Sequence, residues 1–247
     1  MDVKRMAPSS AALAALEILA LAALALTCAC SGQAEKDAKA RWAAAYTSQC
    51  SKAASDAGLA RNGSTFCMCV AERYVRTFSA VQLPLTLISK PLKDAGEAIT
   101  HECALIVSMQ EEYNRLMAAL SAHSDLAVTA YLAPDFIGTS IRGRDENARQ
   151  MLRRIDSRPK GGFEITTVLS VRMSGKRIIV DRKSLEGTET IAGGKRRAVE
   201  TLSSFSDTWI DSDGAWLLQR SRAERIDTYV DGRRVSQLKS ASGSAAP

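Results

Sequence analysis

Histidine is nearly missing from this chain. Only His101 and His123 occur, and neither lies in the strand-rich second half. A Ser-His-Asp machine needs a histidine beside its nucleophile, and none is indicated. No P-loop, dinucleotide fingerprint or histidine metal cluster occurs either, so the sequence implies neither a cofactor nor a metal. Aromatic residues are also sparse, at 5%, which argues against a base-stacking platform. The formal net charge is +6, yet Lys and Arg are scattered. Short clusters such as Lys195-Arg196-Arg197 and Arg233-Arg234 do not make a nucleic-acid-binding face. No nucleic acid partner is expected, and the charge reads as a mildly basic solvated surface. A hydrophobic content of 46% still allows a folded core.

One long apolar run stands out, from Ala11 to Thr27. Lys4 and Arg5 precede it and Cys28-Ala29-Cys30-Ser31-Gly32 follows. A positive start, an apolar centre and small residues at the end describe an export signal over residues 1–30. The stretch resembles a bacterial lipoprotein signal, in which the cysteine is lipidated and becomes the new N-terminus. Cys30 has Ala29 before it and Ser-Gly after it, and Cys28 is the alternative. Thr27 stands where a leucine-like residue is wanted for Cys30, and Glu17 is costly within an apolar segment. An uncleaved anchor and ordinary cleaved secretion therefore remain alternatives. All three place the rest of the chain in the cell envelope or beyond, facing the periplasm or exterior, with the membrane as its first partner.

A polar tether is expected over residues 31–36, then a helical module over residues 37–108. This module holds Cys50, Cys67, Cys69 and Cys103, the four cysteines that remain of the chain's six. In an oxidising compartment they read as two disulfides. Cys67 and Cys69 are separated by roughly 200° around a helix. They are poorly placed to bond each other, so one should take Cys50 and the other Cys103. A zinc site is the competing reading, but its usual C-x-x-C pairs are missing. The run Phe66-Cys67-Met68-Cys69-Val70, with cysteines on both sides, resembles small helical modules of exported bacterial proteins.

Beyond residue 108 the pattern shifts. Glu111–Leu120 reads as helix, and Ser124-Asp125 caps a short one. Gly143–Ile155 reads as an amphipathic helix. Long strands with period-two patterning follow. In the first, Phe163, Ile165, Thr167, Leu169, Val171 and Met173 share a face. Asp211-Ser212-Asp213-Gly214 is a hairpin turn and Asp231-Gly232 another. The whole is α+β: a small disulfide-stapled helical module, then a cone-shaped curved antiparallel sheet covered by helices over residues 109–235. A Ser/Ala/Gly-rich tail, 236–247, is expected to be disordered.

Two segments carry a family resemblance: Leu132-Ala133-Pro134-Asp135-Phe136, and the hairpin Ser206-Asp207-Thr208-Trp209-Ile210-Asp211-Ser212-Asp213-Gly214-Ala215-Trp216-Leu217-Leu218-Gln219. Over about residues 110–230 the chain resembles the nuclear transport factor 2-like superfamily, in its SnoaL-like branch. That resemblance implies the cone fold and a site in its apolar mouth. It does not imply one activity, since such folds host enzymes and binding modules alike.

The mouth would be lined by Tyr131, Phe136, Phe163, Phe205 and Trp209. Phe205, Asp207 and Trp209 alternate onto one face of their strand, and Arg220, Arg222 and Glu224 onto one face of the next. Asp207 and Arg222 would orient a polar ligand or move a proton if they face the cavity. The competing reading makes the aromatics core and pairs the charges across strands at the surface. Two functions follow. One is a non-catalytic binding or assembly module that takes a small apolar ligand or a protein partner, with a homodimer through the sheet as one form. The other is a small isomerase- or cyclase-type enzyme.

Overall fold

The structure, a computed structural model, describes residues 32–58, 60–156, 163–192 and 195–240. The expected export signal, with Cys28 and Cys30, lies outside them. Among the described residues no helix is long and apolar enough to cross a membrane. The chain divides into two compact units, with the boundary between Val107 and Ser108.

The first unit is helical. Helix α1 spans Gly32–Asp56 and α2 spans Ala60–Thr77. A 3-10 turn covers Pro84–Leu87, and α3 begins at Lys90 and runs to Ser121, across the unit boundary. Residues 32–36, expected as a tether, are instead the first turns of α1. Their side chains support the helix through Gln33 donating to Asp37 and Glu35 pairing with Lys39, both at i,i+4 spacing. Gly63 sits where α1 and α2 press together, and a β-carbon there would collide with the Ala54 methyl. The disulfides join Cys50 to Cys67 and Cys69 to Cys103. The two sides of α2 are thereby tied to α1 and α3. Cys67, Val70, Ala71, Phe78 and Cys103 are buried. Trp42, Tyr46 and Tyr74 stack in near-parallel planes, with centroids 5.1–6.0 Å apart. Burial and the neighbouring Tyr74 push the Tyr46 hydroxyl up to about 12.

The second unit is α+β. The last turns of α3 are followed by α4 (Asp125–Thr129), β1 (Leu132–Thr139), β2 (Asp145–Asn147) and α5 (Ala148–Asp156). Then come β3 (Phe163–Ser174), β4 (Arg177–Ala192), β5 (Lys195–Ser212), β6 (Ala215–Val230) and β7 (Arg233–Lys239). They form one curved, open seven-stranded sheet in the order β2-β1-β6-β5-β4-β3, with β7 also on β6. Every pairing is antiparallel except β1 with β6, which is parallel. Ser124 caps α4 as its sequence suggests, accepting from the Ala127 N–H. At both Asp-Gly turns Asp213, Gly214, Asp231 and Gly232 have positive φ, the backbone a tight two-residue hairpin demands.

Three sequence expectations are corrected here. The helix expected over Gly143–Ile155 starts only at Ala148, because Asn147 caps it. The Asn147 side chain accepts from the Gln150 N–H, and the Gln150 side chain accepts from the Asn147 N–H, a reciprocal capping pair. Residues 145–147 pair with β1 instead. The face expected for β3 holds only in part. A register shift between Val168 and Ser170 buries Thr166 and Val168 on one side of it and Val171 on the other. Ile165, Leu169 and Met173 are left exposed. Finally, Ser236–Lys239 are not a disordered tail but the end of β7. The Asp-Gly turn aims them along β6, where Asp227 accepts from Gln237 and faces Arg234. Residues 241–247 lie outside the described residues.

Candidate functional site

Strand alternation puts Ile178, Val180, Arg182 and Ser184 of β4 on the buried face. The β4–β5 register sets them opposite Trp209, Asp207, Phe205 and Ser203. Helix α3 lies over this face and contributes Tyr113. Four polar side chains meet there. Asp207 is fully buried, at 0% exposure. Its Oδ2 accepts from Arg182 Nε at 2.6 Å and from the Tyr113 hydroxyl at 2.6 Å. The Tyr113 oxygen in turn accepts from Trp209 Nε1 at 2.8 Å. The rings of Tyr113 and Trp209 pack edge to face, and the Arg182 guanidinium lies 4.0 Å from the Phe205 ring centroid. The other carboxylate oxygen, Asp207 Oδ1, is buried with no hydrogen-bond partner among the described residues.

The electrostatics follow from this geometry. Burial, with the Asp207 charge beside it, holds the Tyr113 hydroxyl well above its ordinary value. For Arg182 burial works against the charge, but Asp207, Tyr113 and Glu164 together outweigh it and raise the guanidinium further. Both groups that donate to the carboxylate therefore keep their protons near neutrality. The polar chain continues beyond Arg182, where Ser184 donates to Glu164 at 2.7 Å and lies 3.5 Å from the Thr166 hydroxyl.

Of the residues expected from sequence, the structure brings Phe205, Asp207 and Trp209 into this cluster. Phe136 is buried on β1, and Tyr131 is half-buried just before it, with its carbonyl accepting from Leu218 N–H. Neither hydrogen-bonds to Asp207. Arg222 does not join. It lies opposite Ser206 rather than Asp207 in the register, is exposed, and pairs with Glu224 on its own strand at 3.0 Å. The Phe163 side chain lies outside the described residues. The residues sequence reading missed are Arg182 and Tyr113. A signal for Arg182 was present, since it interrupts the buried alternation Ile178, Val180, Ser184 with a charge. Tyr113 carried no comparable mark.

Aromatic rings and the Arg182–Asp207 pair fill the face between helix and sheet. Two surface hollows, one of about 270 Å³ lined by Thr139, Ser140, Arg142 and Arg222 among others, and one between α1 and α2, include none of these residues. Among the described residues no three His, Cys, Asp or Glu side chains gather as a metal site.

No family model matches the chain, and no curated protein matches it. Solved structures do resemble its second unit. One is a protein described as a candidate scytalone dehydratase from Novosphingobium aromaticivorans, 14% identical, with a TM-score of 0.42, covering 57% of this chain and 97% of that one. Another is the hexachlorocyclohexane dehydrochlorinase LinA-type3 from Novosphingobium barchaimii, at 12% identity and a TM-score of 0.41, covering 56% and 92%. A third is an NTF2-like protein from Cytophaga hutchinsonii, at 12% identity and a TM-score of 0.35, covering 47% and 93%. At these identities and scores the likeness carries no argument about activity.

Proposed function

We propose that this chain is an exported, lipid-anchored envelope protein whose SnoaL-like sheet unit serves as a binding or assembly module for a protein partner. The observation that carries this reading is the closed interior. Tyr113, Trp209 and Asp207 are fully buried between helix and sheet and are joined there to Arg182 and to one another. Tyr113 and Arg182 both keep their protons near neutrality and spend them on Asp207. Export is supported by two disulfides in the helical unit, which persist in oxidising compartments, and by the apolar leader ending at Cys30. A protein partner is supported by β3, which leaves Ile165, Leu169 and Met173 exposed at 56%, 43% and 54%. A second copy of the chain is the simplest such partner.

Native mass spectrometry of the protein extracted from membranes tests this reading. The expected species is a complex with protein mass added, with the N-terminal cysteine diacylated and no small molecule retained in the sheet unit. Leu169→Lys should dissociate that complex. A monomer carrying a bound small molecule would refute the reading.

One observation favours the second reading, an isomerase- or cyclase-type enzyme working in the cone. Asp207 Oδ1 is a buried acceptor with no donor, and buried carboxylate oxygens are costly to leave bare. A substrate hydroxyl or amine would supply that donor. Under this reading Asp207→Asn abolishes turnover in a screen of small cyclic ketones and lactones while the protein stays folded. Under the module reading, no such turnover exists to lose.

A further inference from the structure

A second set of polar side chains gathers where the β1–β2 turn meets β6 and the end of β7. The turn between β1 and β2, Ser140 to Arg144, is closed by Ser140 N–H donating to the Arg144 carbonyl and Gly143 N–H to the Ser140 carbonyl. Gly143 has φ 74°, and this left-handed residue lets the turn fold back tightly. β1 runs parallel to β6 here, placing Thr139 beside Arg222. The end of β7 returns to the same spot, with Ser240 N–H donating to the Glu224 carbonyl. The hollow bounded by these three segments is about 270 Å³ and is lined by Thr139, Ser140, Arg142, Arg222 and Ser240 with Gly143 and Ala223.

No carboxylate lines it. Two guanidinium side chains do, and they are in different states. Arg222 shares one nitrogen with Glu224, leaving the rest of its fork. Arg142 has no hydrogen-bond or ion-pair partner among the described residues. Ser140 Oγ already accepts from the Arg144 N–H, so its own proton is the group left to give. The site thus offers donors from a turn and from a strand, which approach the same space from different directions. Guanidinium forks match oxyanions in a bidentate way, and donors converging from several directions suit a tetrahedral anion better than a planar one.

We infer that this hollow is a binding site for a phosphate group, with Arg142 as its principal cation and Arg222 and Ser140 completing it. The phosphate belongs either to a small soluble phosphomonoester or to a phospholipid headgroup, and the two sources share this chemistry. The site stands apart from the Asp207 cluster and does not rest on the reading of that cluster.

The test is isothermal titration of the full-length chain in detergent, with three probes: glycerol 3-phosphate, dihexanoyl phosphatidylglycerol and acetate. Binding of the first assigns a soluble phosphomonoester, and binding of the second a headgroup. In either arm Arg142→Ala should weaken binding about tenfold or more, as loss of a charge-assisted contact does. Arg177→Ala removes the same charge from the first residue of β4 and should leave binding unchanged. Arg142 is exposed in a turn, so its removal should not unfold the sheet, and far-ultraviolet circular dichroism checks this. The inference is overturned if neither phosphate probe binds, if Arg142→Ala binds as tightly as the native chain, if Arg177→Ala weakens binding equally, or if acetate competes as well as phosphate.

Discussion

Replacing Arg182 with Met leaves the Asp207 carboxylate buried without its cation. Asp207 has 0% exposure, and Arg182 is its sole ion-pair partner among the described residues. Of the two donors to Oδ2 only Tyr113 would remain. Breaking a buried pair by removing one partner costs about 3–5 kcal/mol, because the remaining charge is stranded away from water. Met fills much of the volume and keeps a contact with the Phe205 ring, so little of that cost comes from lost packing. Set against a typical domain stability of about 5–15 kcal/mol, the variant should still fold. With a urea dependence near 2 kcal/mol per M, the unfolding midpoint should fall by roughly 2 M. Tryptophan fluorescence is the assay. The chain has three tryptophans, and a Trp42→Phe background confines the signal to Trp209 and Trp216 in the sheet unit. The partner variant Asp207→Asn should be destabilised on a similar scale, because it strands the guanidinium. The double variant Arg182→Met/Asp207→Asn carries no buried charge and should recover to within about 1–2 kcal/mol of the native chain. If the single variants each cost less than about 1 kcal/mol, or if the double variant costs the sum of the two, the buried-pair reasoning fails.

Three other outcomes follow from the same structure. Replacing Cys50 and Cys67 with Ala should destabilise the helical unit by about 3 kcal/mol, and replacing Cys69 and Cys103 by about 4 kcal/mol, since loop entropy grows with the span closed. Those spans are 17 and 34 residues, and thermal melts of the two double variants give the order. Gln110→Ala should cost about 1–3 kcal/mol, because its side chain accepts from the Val168 N–H and donates to the Thr166 carbonyl; hydrogen exchange at Val168 should rise with it. Tyr46, with its hydroxyl pushed up to about 12 by burial, keeps its proton in the folded state where an unfolded tyrosine loses it near 10. The stability it contributes is fully present below pH ~10 and is lost as pH rises from there toward 12. Alkaline titration at 295 nm and a Tyr46→Phe control separate this from other alkaline effects.

What was legible in the sequence was local. Asp213-Gly214 and Asp231-Gly232 announce hairpins because only a few residues accept the backbone those turns need. The two-residue spacing of Cys67 and Cys69 announces two different partners, because a helix turns their side chains apart. Asp207 and Trp209 share a face by simple alternation. The partners that give them meaning lie far along the chain. Arg182 is 25 residues from Asp207, and Tyr113 is 94. Meeting them requires the register that sets Arg182 opposite Phe205, which alternation alone does not fix. Arg222 was the nearer cation in sequence terms, yet its register opposite Ser206 turns it to the other face. The same limit explains β3, where the register shift after Val168 moves the buried set from one parity to the other. It also explains β7, whose end runs into a Ser-, Ala- and Gly-rich tail that hid a strand held in place by β6 and Asp227.

The polar cluster is best understood through α3. Gln110 and Tyr113 lie three residues apart on that helix, so their side chains project from neighbouring positions on one face. Gln110 bonds the backbone of β3, and Tyr113 bonds Asp207 on β5. Apolar contacts alone, such as those of buried Met109 and Leu116, tolerate a helix that slides or rotates by a fraction of a turn. Two directional anchors on separate strands do not, because any such shift would break the Tyr113–Asp207 and Gln110–Val168 hydrogen bonds together, leaving Asp207 with Arg182 alone. A half-satisfied buried network is worse than an apolar one, so the cost of misplacement is concentrated in a single step. Tyr113 and Gln110 together fix where the helix lies on the sheet.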